Sequence, residues 1–176
     1  MKKIVGICLL AVLLVQSVFA AHHKPGESTK KTQVGYDTTE GVRAPLYAGS
    51  LDTVEVWMRY MKAHDDNDLK AIREANADDF KAWASDGSVI ENTDAQIALL
   101  TDWFATSNPK WIHKYSIANE FTDQEGKLQQ WVTTGWELTE TVDGKESKRQ
   151  EIFDVLIADG KIKTIYIAAR PINESE

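Results

Sequence analysis

Four long runs rich in β-branched and aromatic residues fill the second half of this chain, near 111–121, 127–140, 147–158 and 161–170. Gly126, Asp143-Gly144 and Asp159-Gly160 separate them. Asp-Gly between such runs is hairpin-turn chemistry, because both residues tolerate the positive φ that tight turns demand. Four consecutive strands joined by short turns can only form an antiparallel meander, and that constrains the fold more than anything else in the sequence.

Helix signals dominate the first half. Asp52-Thr53-Val54-Glu55 reads as a capping box with Leu51 and Val56 as its hydrophobic staple. Val54, Trp57, Met58 and Met61 then give one buried face at i, i+3, i+4 and i+7. His64-Asp65-Asp66-Asn67 breaks this helix, and a short second helix follows around Leu69 to Ala75. Phe80 to Ala84 is a short strand. Thr93-Asp94-Ala95-Gln96 opens a third helix with Ile97, Leu100 and Phe104 on one face, ended by Asn108-Pro109. Helices followed by a meander imply an α+β domain with helices packed on one face of the sheet.

Residues 1–20 have the form of a signal peptide: Lys2-Lys3, an apolar stretch from Ile4 to Val15, and Val18-Phe19-Ala20 before the cut. The stretch is too short to span a bilayer comfortably. The expected mature protein is exported, to the periplasm or outside the cell, with no membrane association. Its only cysteine, Cys8, leaves with the signal, so disulfides, thiol catalysis and cysteine-ligated metals are excluded. Loss of Lys2 and Lys3 takes the formal charge from −7 to −9, and only Lys30-Lys31 remains as a basic pair. Nucleic acid is therefore a poor partner. Residues 21–50 read as a flexible polar leader, 51–172 as one domain and 173–176 as a tail.

The run Ile152-Phe153-Asp154-Val155-Leu156-Ile157 sets one carboxylate in an apolar strand. Such a group must be paired, hydrogen-bonded, held protonated or pointed into a cavity. Asp154 is thus either a pocket residue or a structural carboxylate paired with Arg149, Arg170 or a helix residue. A pocket role would place Ile152 and Leu156 beside it and turn Phe153, Val155 and Ile157 outward.

The order of elements, with Arg59-Tyr60, Asn67-Asp68-Leu69, Ala77-Asp78-Asp79, Glu151-Ile152-Phe153-Asp154-Val155 and Asp159-Gly160-Lys161-Ile162, resembles the NTF2-like superfamily, including its SnoaL-like and ketosteroid-isomerase-like members. The resemblance covers about residues 51–172. It implies a cone of three N-terminal helices on a curved, mainly antiparallel sheet, with a pocket for a small, largely apolar molecule. It also implies homodimers through the outer sheet face, here the set Phe153, Val155, Ile157 and Tyr166.

In ketosteroid isomerases a tyrosine and a protonated aspartic acid donate to an enolate while a second aspartate moves the proton. By resemblance Tyr60 and Asp154 match the donors. The base position falls on Ala84, and Asp86, two residues on, is the nearest carboxylate. Asp86-Gly87 is equally ordinary turn chemistry, and Glu91 is a more distant candidate. Isomerase, cyclase or dehydratase chemistry and non-catalytic ligand capture or protein association both fit the fold. Trp57, His113 and Ile167 complete the expected pocket with Ile152 and Leu156. Tyr60, His113 and most of the six tryptophans read equally well as core residues.

No cofactor motif and no metal-ligand spacing occur in the domain. Cleavage after Ala20 would expose Ala21-His22-His23, a nitrogen set suited to Cu(II) or Ni(II). Asn173-Glu174-Ser175 is a sequon of consequence only where exported proteins are glycosylated.

Overall fold

A computed structural model describes residues 31–38 and 41–172. The expected signal peptide, the Ala21-His22-His23 terminus its cleavage would create and the sequon lie outside the described residues.

In chain order the elements are β1 (Gln33–Asp37), β2 (Ala44–Ala48), α1 (Leu51–Asp65), α2 (Leu69–Ala75), β3 (Asn76–Trp83) and β4 (Val89–Ile90). Then come α3 (Thr93–Ser107), β5 (Lys110–Thr122), β6 (Leu128–Val142), β7 (Lys145–Ala158) and β8 (Lys161–Pro171). All strands join one sheet in the order β1-β2-β5-β6-β7-β8-β3-β4. Only the β3–β8 pair is parallel. The α+β class, three helices and a mainly antiparallel sheet are as expected, but the helices do not all precede the strands. Two strands come before α1, and the strand expected at Phe80–Ala84 between the second and third helices is β3, running Asn76–Trp83 and paired with the short β4.

The meander follows its turns. Asp143 and Gly144 adopt φ of 50° and 73°, Asp159 and Gly160 φ of 51° and 72°. A two-residue turn with both residues in this region matches the strand twist and fixes the register. Leu138 accordingly pairs with Arg149, and Asp154 lies between Thr133 and Tyr166.

The helix caps fall a little earlier than expected. Ser50, not Asp52, caps α1, its Oγ accepting from the Asp52 N–H at 3.2 Å. Asn92, not Thr93, caps α3 through the Ala95 N–H at 2.9 Å. Every residue in these stretches is a competent cap, so sequence alone does not choose among them. The buried face of α1 is Trp57, Tyr60, Met61 and His64, while Val54 and Met58 are half-buried.

Within the expected leader lie two strands, Gln33–Asp37 and Ala44–Ala48. β1 and β2 form a hairpin, and Tyr47 and Ala48 pair with Glu120 and Asn119 at the far end of β5. The compact unit begins at Lys31. Short strands carrying Gly35 and Pro45 have little local strand signal, and their pairing is a tertiary event.

The core lies between the helices and one face of the sheet. Trp57, Ile72, Phe80, Val132, Leu138, Val155 and Ile162 are almost fully buried, and each side chain of this size contributes about 1.5–3 kcal/mol through removal from water. Phe153, Val155 and Ile157 point into this core and Ile152 is exposed, the reverse of the expected parity. Both sets are apolar. The tertiary partners decide: the inner register also places Glu151 and Arg149 against indoles and a carboxylate under the helices. A one-residue change of parity exchanges the whole face.

Candidate functional site

Between α1, α3 and the inner sheet face lies a cavity of about 710 Å³. Trp57, Tyr60, Met61 and His64 of α1 form one wall, and Gln96, Leu100, Asp102 and Trp103 of α3 another. The floor is Arg149, Glu151 and Phe153 of β7 with Ile165 and Ile167 of β8, and Trp111 closes one side. Aromatic and aliphatic walls with a few placed polar groups suit a small organic molecule, and the volume lies within the range of about 300–1,000 Å³ typical of such sites.

Two polar systems are built into these walls. In the first, Gln96 Nε2 donates to the Tyr60 hydroxyl at 2.7 Å, while Gln96 Oε1 accepts from Asn76 Nδ2 at 2.8 Å. Burial raises the Tyr60 pKa above its ordinary value, opposed by the amides of Gln96 and Asn76. The hydroxyl therefore stays neutral.

The second system is ionic. Arg149 Nε donates to Glu151 Oε1 at 2.8 Å, and Arg149 Nη1 bonds Glu140 Oε1. Trp111 Nε1 donates to Glu151 Oε2 at 3.0 Å and Trp103 Nε1 to Glu140 Oε2 at 2.7 Å. Both carboxylates are buried, and each of their four oxygens already accepts one hydrogen bond.

His64 lies between the two systems. Its Nδ1 is 2.9 Å from the Tyr60 carbonyl oxygen. A carbonyl only accepts, so Nδ1 carries the proton and the neutral ring keeps a lone pair on Nε2. Burial pushes its pKa down to about 4, against the opposing hydrogen bond to Tyr60.

Of the residues expected here, Trp57, Tyr60 and Ile167 line the cavity and the others do not. Asp154 projects from the opposite sheet face, half-buried, and accepts from Thr133 Oγ1 at 2.8 Å. Desolvation raises its pKa, partly offset by Thr133. Ile152 and Leu156 share that outer face because they share its parity. Asp86 is exposed in the β3–β4 turn, where its carboxylate accepts from the Ser88 N–H at 2.8 Å. Glu91 pairs with Lys81 at 2.6 Å, exposed to solvent. Tyr60, Asp154 and Asp86 thus share no common point, and the enolate arrangement is absent.

His113 was expected on one face with Tyr115, but a bulge between them breaks the alternation: His113 pairs with Trp136, Tyr115 with Gly135. The exposed imidazole bonds Ser116 Oγ at 2.9 Å and lies against the Trp136 ring, away from the cavity. Arg149, expected as a partner for Asp154, is committed to the opposite face. Arg170 bonds Gln150 instead.

Sequence reasoning missed His64, Gln96, Glu140, Arg149 and Glu151 as site residues. A usable signal existed for the ionic group. The Asp143-Gly144 turn fixes the hairpin register, and that register sets Glu140 diagonally across from Arg149, with Glu151 two residues further on the same face. Among the described residues no group of three His, Cys, Asp or Glu side chains is placed to hold a metal ion.

No family model matches this chain, and no curated protein matches it. Solved structures do. An LEH-like epoxide hydrolase of Mycobacterium tuberculosis aligns with a TM-score of 0.56 at 13% identity, over 69% of this chain and 84% of that one. A Mycobacterium tuberculosis protein in complex with estradiol-17beta-hemisuccinate aligns with a TM-score of 0.54 at 15% identity, over 70% and 95%. An NTF2-like protein from Burkholderia xenovorans LB400 gives 0.54 at 13% identity, over 70% and 92%. The chain path is common to all three, and this chain carries the NTF2-like α+β fold.

Proposed function

We propose that the protein is an exported ligand-capture domain whose cavity binds a small, largely apolar molecule. The observation that carries this reading is the cavity itself, walled by Trp57, Trp103, Trp111 and Phe153, with a few polar side chains placed among them. A fold neighbour solved with estradiol-17beta-hemisuccinate supports a ligand of that general kind. Capture is favoured over catalysis because a general base needs a lone pair facing the substrate. Each oxygen of Glu140 and Glu151 already accepts one hydrogen bond, so these groups are fixed in place and suit holding a ligand donor better than carrying a proton away, and a neutral His64 with its lowered pKa is a weak base.

Acid–base chemistry from Glu151 is the second reading. It is favoured by Glu151, a cavity-lining carboxylate that shares the Arg149 guanidinium with Glu140, and by the epoxide hydrolase named among the fold neighbours.

Scanning calorimetry against a panel of neutral, cationic and anionic apolar molecules tests capture. A ligand at 100 times its Kd should add about 2.7 kcal/mol of stability. Leu100→Trp, which pushes an indole into the cavity, should reduce the gain sharply while the domain stays folded. Undiminished binding to this variant would place the ligand elsewhere. Turnover of an epoxide or other electrophile that Glu151→Gln abolishes would replace capture with catalysis.

The outer sheet face is the proposed homodimer surface, with membership corrected. Tyr115, Ile117, Ile152 and Tyr166 are 40%, 55%, 43% and 43% exposed, and a contiguous apolar patch of this sort marks an interface. Sedimentation of the protein and of Ile117→Glu tests it, a monomer in both cases arguing against. Fractionation of cells producing the full chain tests export.

A further inference from the structure

We infer that the cavity selects an organic cation: a small amine whose charged nitrogen lies beside Glu151 and whose apolar body fills the remaining space. This rests on the ligand-capture reading and names its ligand class.

Formal charge is the first ground. Glu140 and Glu151 share a single guanidinium, so the trio carries one uncompensated negative charge, and the two carboxylate side chains are only 5% and 6% exposed. Neutral indole N–H donors satisfy hydrogen bonds without balancing charge. A ligand cation at the Glu151 side of the cavity would do both. The charged residues lining the cavity are Asp102, Arg149 and Glu151, with no lysine. Arg149 is already committed twice, so an anion entering here meets two carboxylates and no free cation.

The second ground is independent of charge counting. Trp103 and Trp111, the indoles that donate to the two carboxylates, cross at 82° with ring centroids 5.4 Å apart. Both line the cavity. Indole faces attract ammonium groups through the ring quadrupole, and the attraction grows where water is excluded. Trp103 already hosts one cation in this way, with the Arg149 guanidinium carbon 5.9 Å from its ring centroid. A carboxylate beside crossed indoles is thus a receptor for a second, ligand-borne cation.

Two series of near-isosteric probes test this by calorimetric titration of the whole protein: 1-adamantylammonium, 1-adamantanol and 1-adamantanecarboxylate, then octylammonium, octanol and octanoate. In at least one series the ammonium should bind roughly tenfold or more tighter than the alcohol, an advantage of about 1.4 kcal/mol, with the carboxylate weakest. Glu151→Gln should bring ammonium and alcohol to near parity. Asp102→Asn, at an exposed position, should reduce the preference by a smaller factor. Alcohols binding as tightly as ammoniums in wild type would overturn the cation inference and leave ligand capture standing. Failure of all six probes to bind at millimolar concentration would remove both.

Discussion

β7 carries a buried acid on its inner face and a half-buried one on its outer face, and the two are held in opposite ways. Glu151, on the inner face, is buried and bonded to both a guanidinium and an indole. Asp154, three residues later on the outer face, is half-buried and has one bond from Thr133. Its neighbours are aromatic: Trp83 and Tyr166 stack at 4.7 Å, and Trp131 lies nearly parallel to Tyr166 at 6.2 Å. An isolated acid in an apolar strand attracts notice in a sequence. An acid with a cation two residues away looks like surface and is passed over. Here the inconspicuous one faces the cavity, because a buried carboxylate survives by company rather than by isolation.

Variants on the two faces can break that contrast. Arg149→Met leaves Glu140 and Glu151 facing each other without their cation. It should cost about 3 kcal/mol, the low end for a broken buried pair because the arginine itself is a third exposed. Urea unfolding at neutral pH measures it, and a cost below about 1 kcal/mol would mean the inner network is not stabilising.

Acid should act mainly on the inner side through His64. Its folded pKa of about 4 lies below the unfolded value near 6.5. Below pH 6.5 the unfolded chain therefore takes a proton that the native state refuses. Stability should fall from about pH 6.5 down to about 4, by about 3 kcal/mol in all. His64→Gln should flatten that slope, and an unchanged slope would assign the acid sensitivity to another group.

Tyr60→Phe leaves Gln96 Nε2 without its acceptor at 2.7 Å. The expected loss is about 1–2 kcal/mol, seen as a lower unfolding midpoint. The smallest effect belongs to the outer face. Asp154→Asn keeps an acceptor for Thr133 and removes a charge whose pKa desolvation raises. Lowering the pH through the carboxylate range should likewise relieve that charge in wild type. The substitution should be neutral or stabilise by less than about 1 kcal/mol at pH 7, discounted because the group is partly solvated. A loss above 2 kcal/mol would show Asp154 to be paired more strongly than Thr133 accounts for.

Local chemistry makes the four long strands of the meander, their turns and the existence of three helices legible, while β1, β2 and β4 carry too little local signal. Asp-Gly pairs announce their conformation, and apolar periodicity announces a helix whatever its surroundings. Parity was not legible in β7, because Ile152 and Leu156 are as apolar as Phe153 and Val155. The bulge after His113 left no residue signature, and it moved His113 to the opposite face from Tyr115. Trp57 and Tyr60 line the cavity because α1 has one face that can be buried. Gln96 was read as part of a cap, and only the folded chain brings it to Tyr60.

The placement of the tryptophans turns the protein into its own spectrometer. Trp57, Trp103 and Trp111 border the cavity, whereas Trp83 and Trp131 stand half-buried on the outer face. Indole emission responds to the polarity and quenchers around each ring, so an occupant of the cavity and a partner on the sheet should leave different optical marks. Replacing Trp83 and Trp131 with phenylalanine would leave an emission dominated by the interior. Replacing Trp103 and Trp111 instead would shift the balance toward the exterior. The two events could then be followed separately in one cuvette, without a dye.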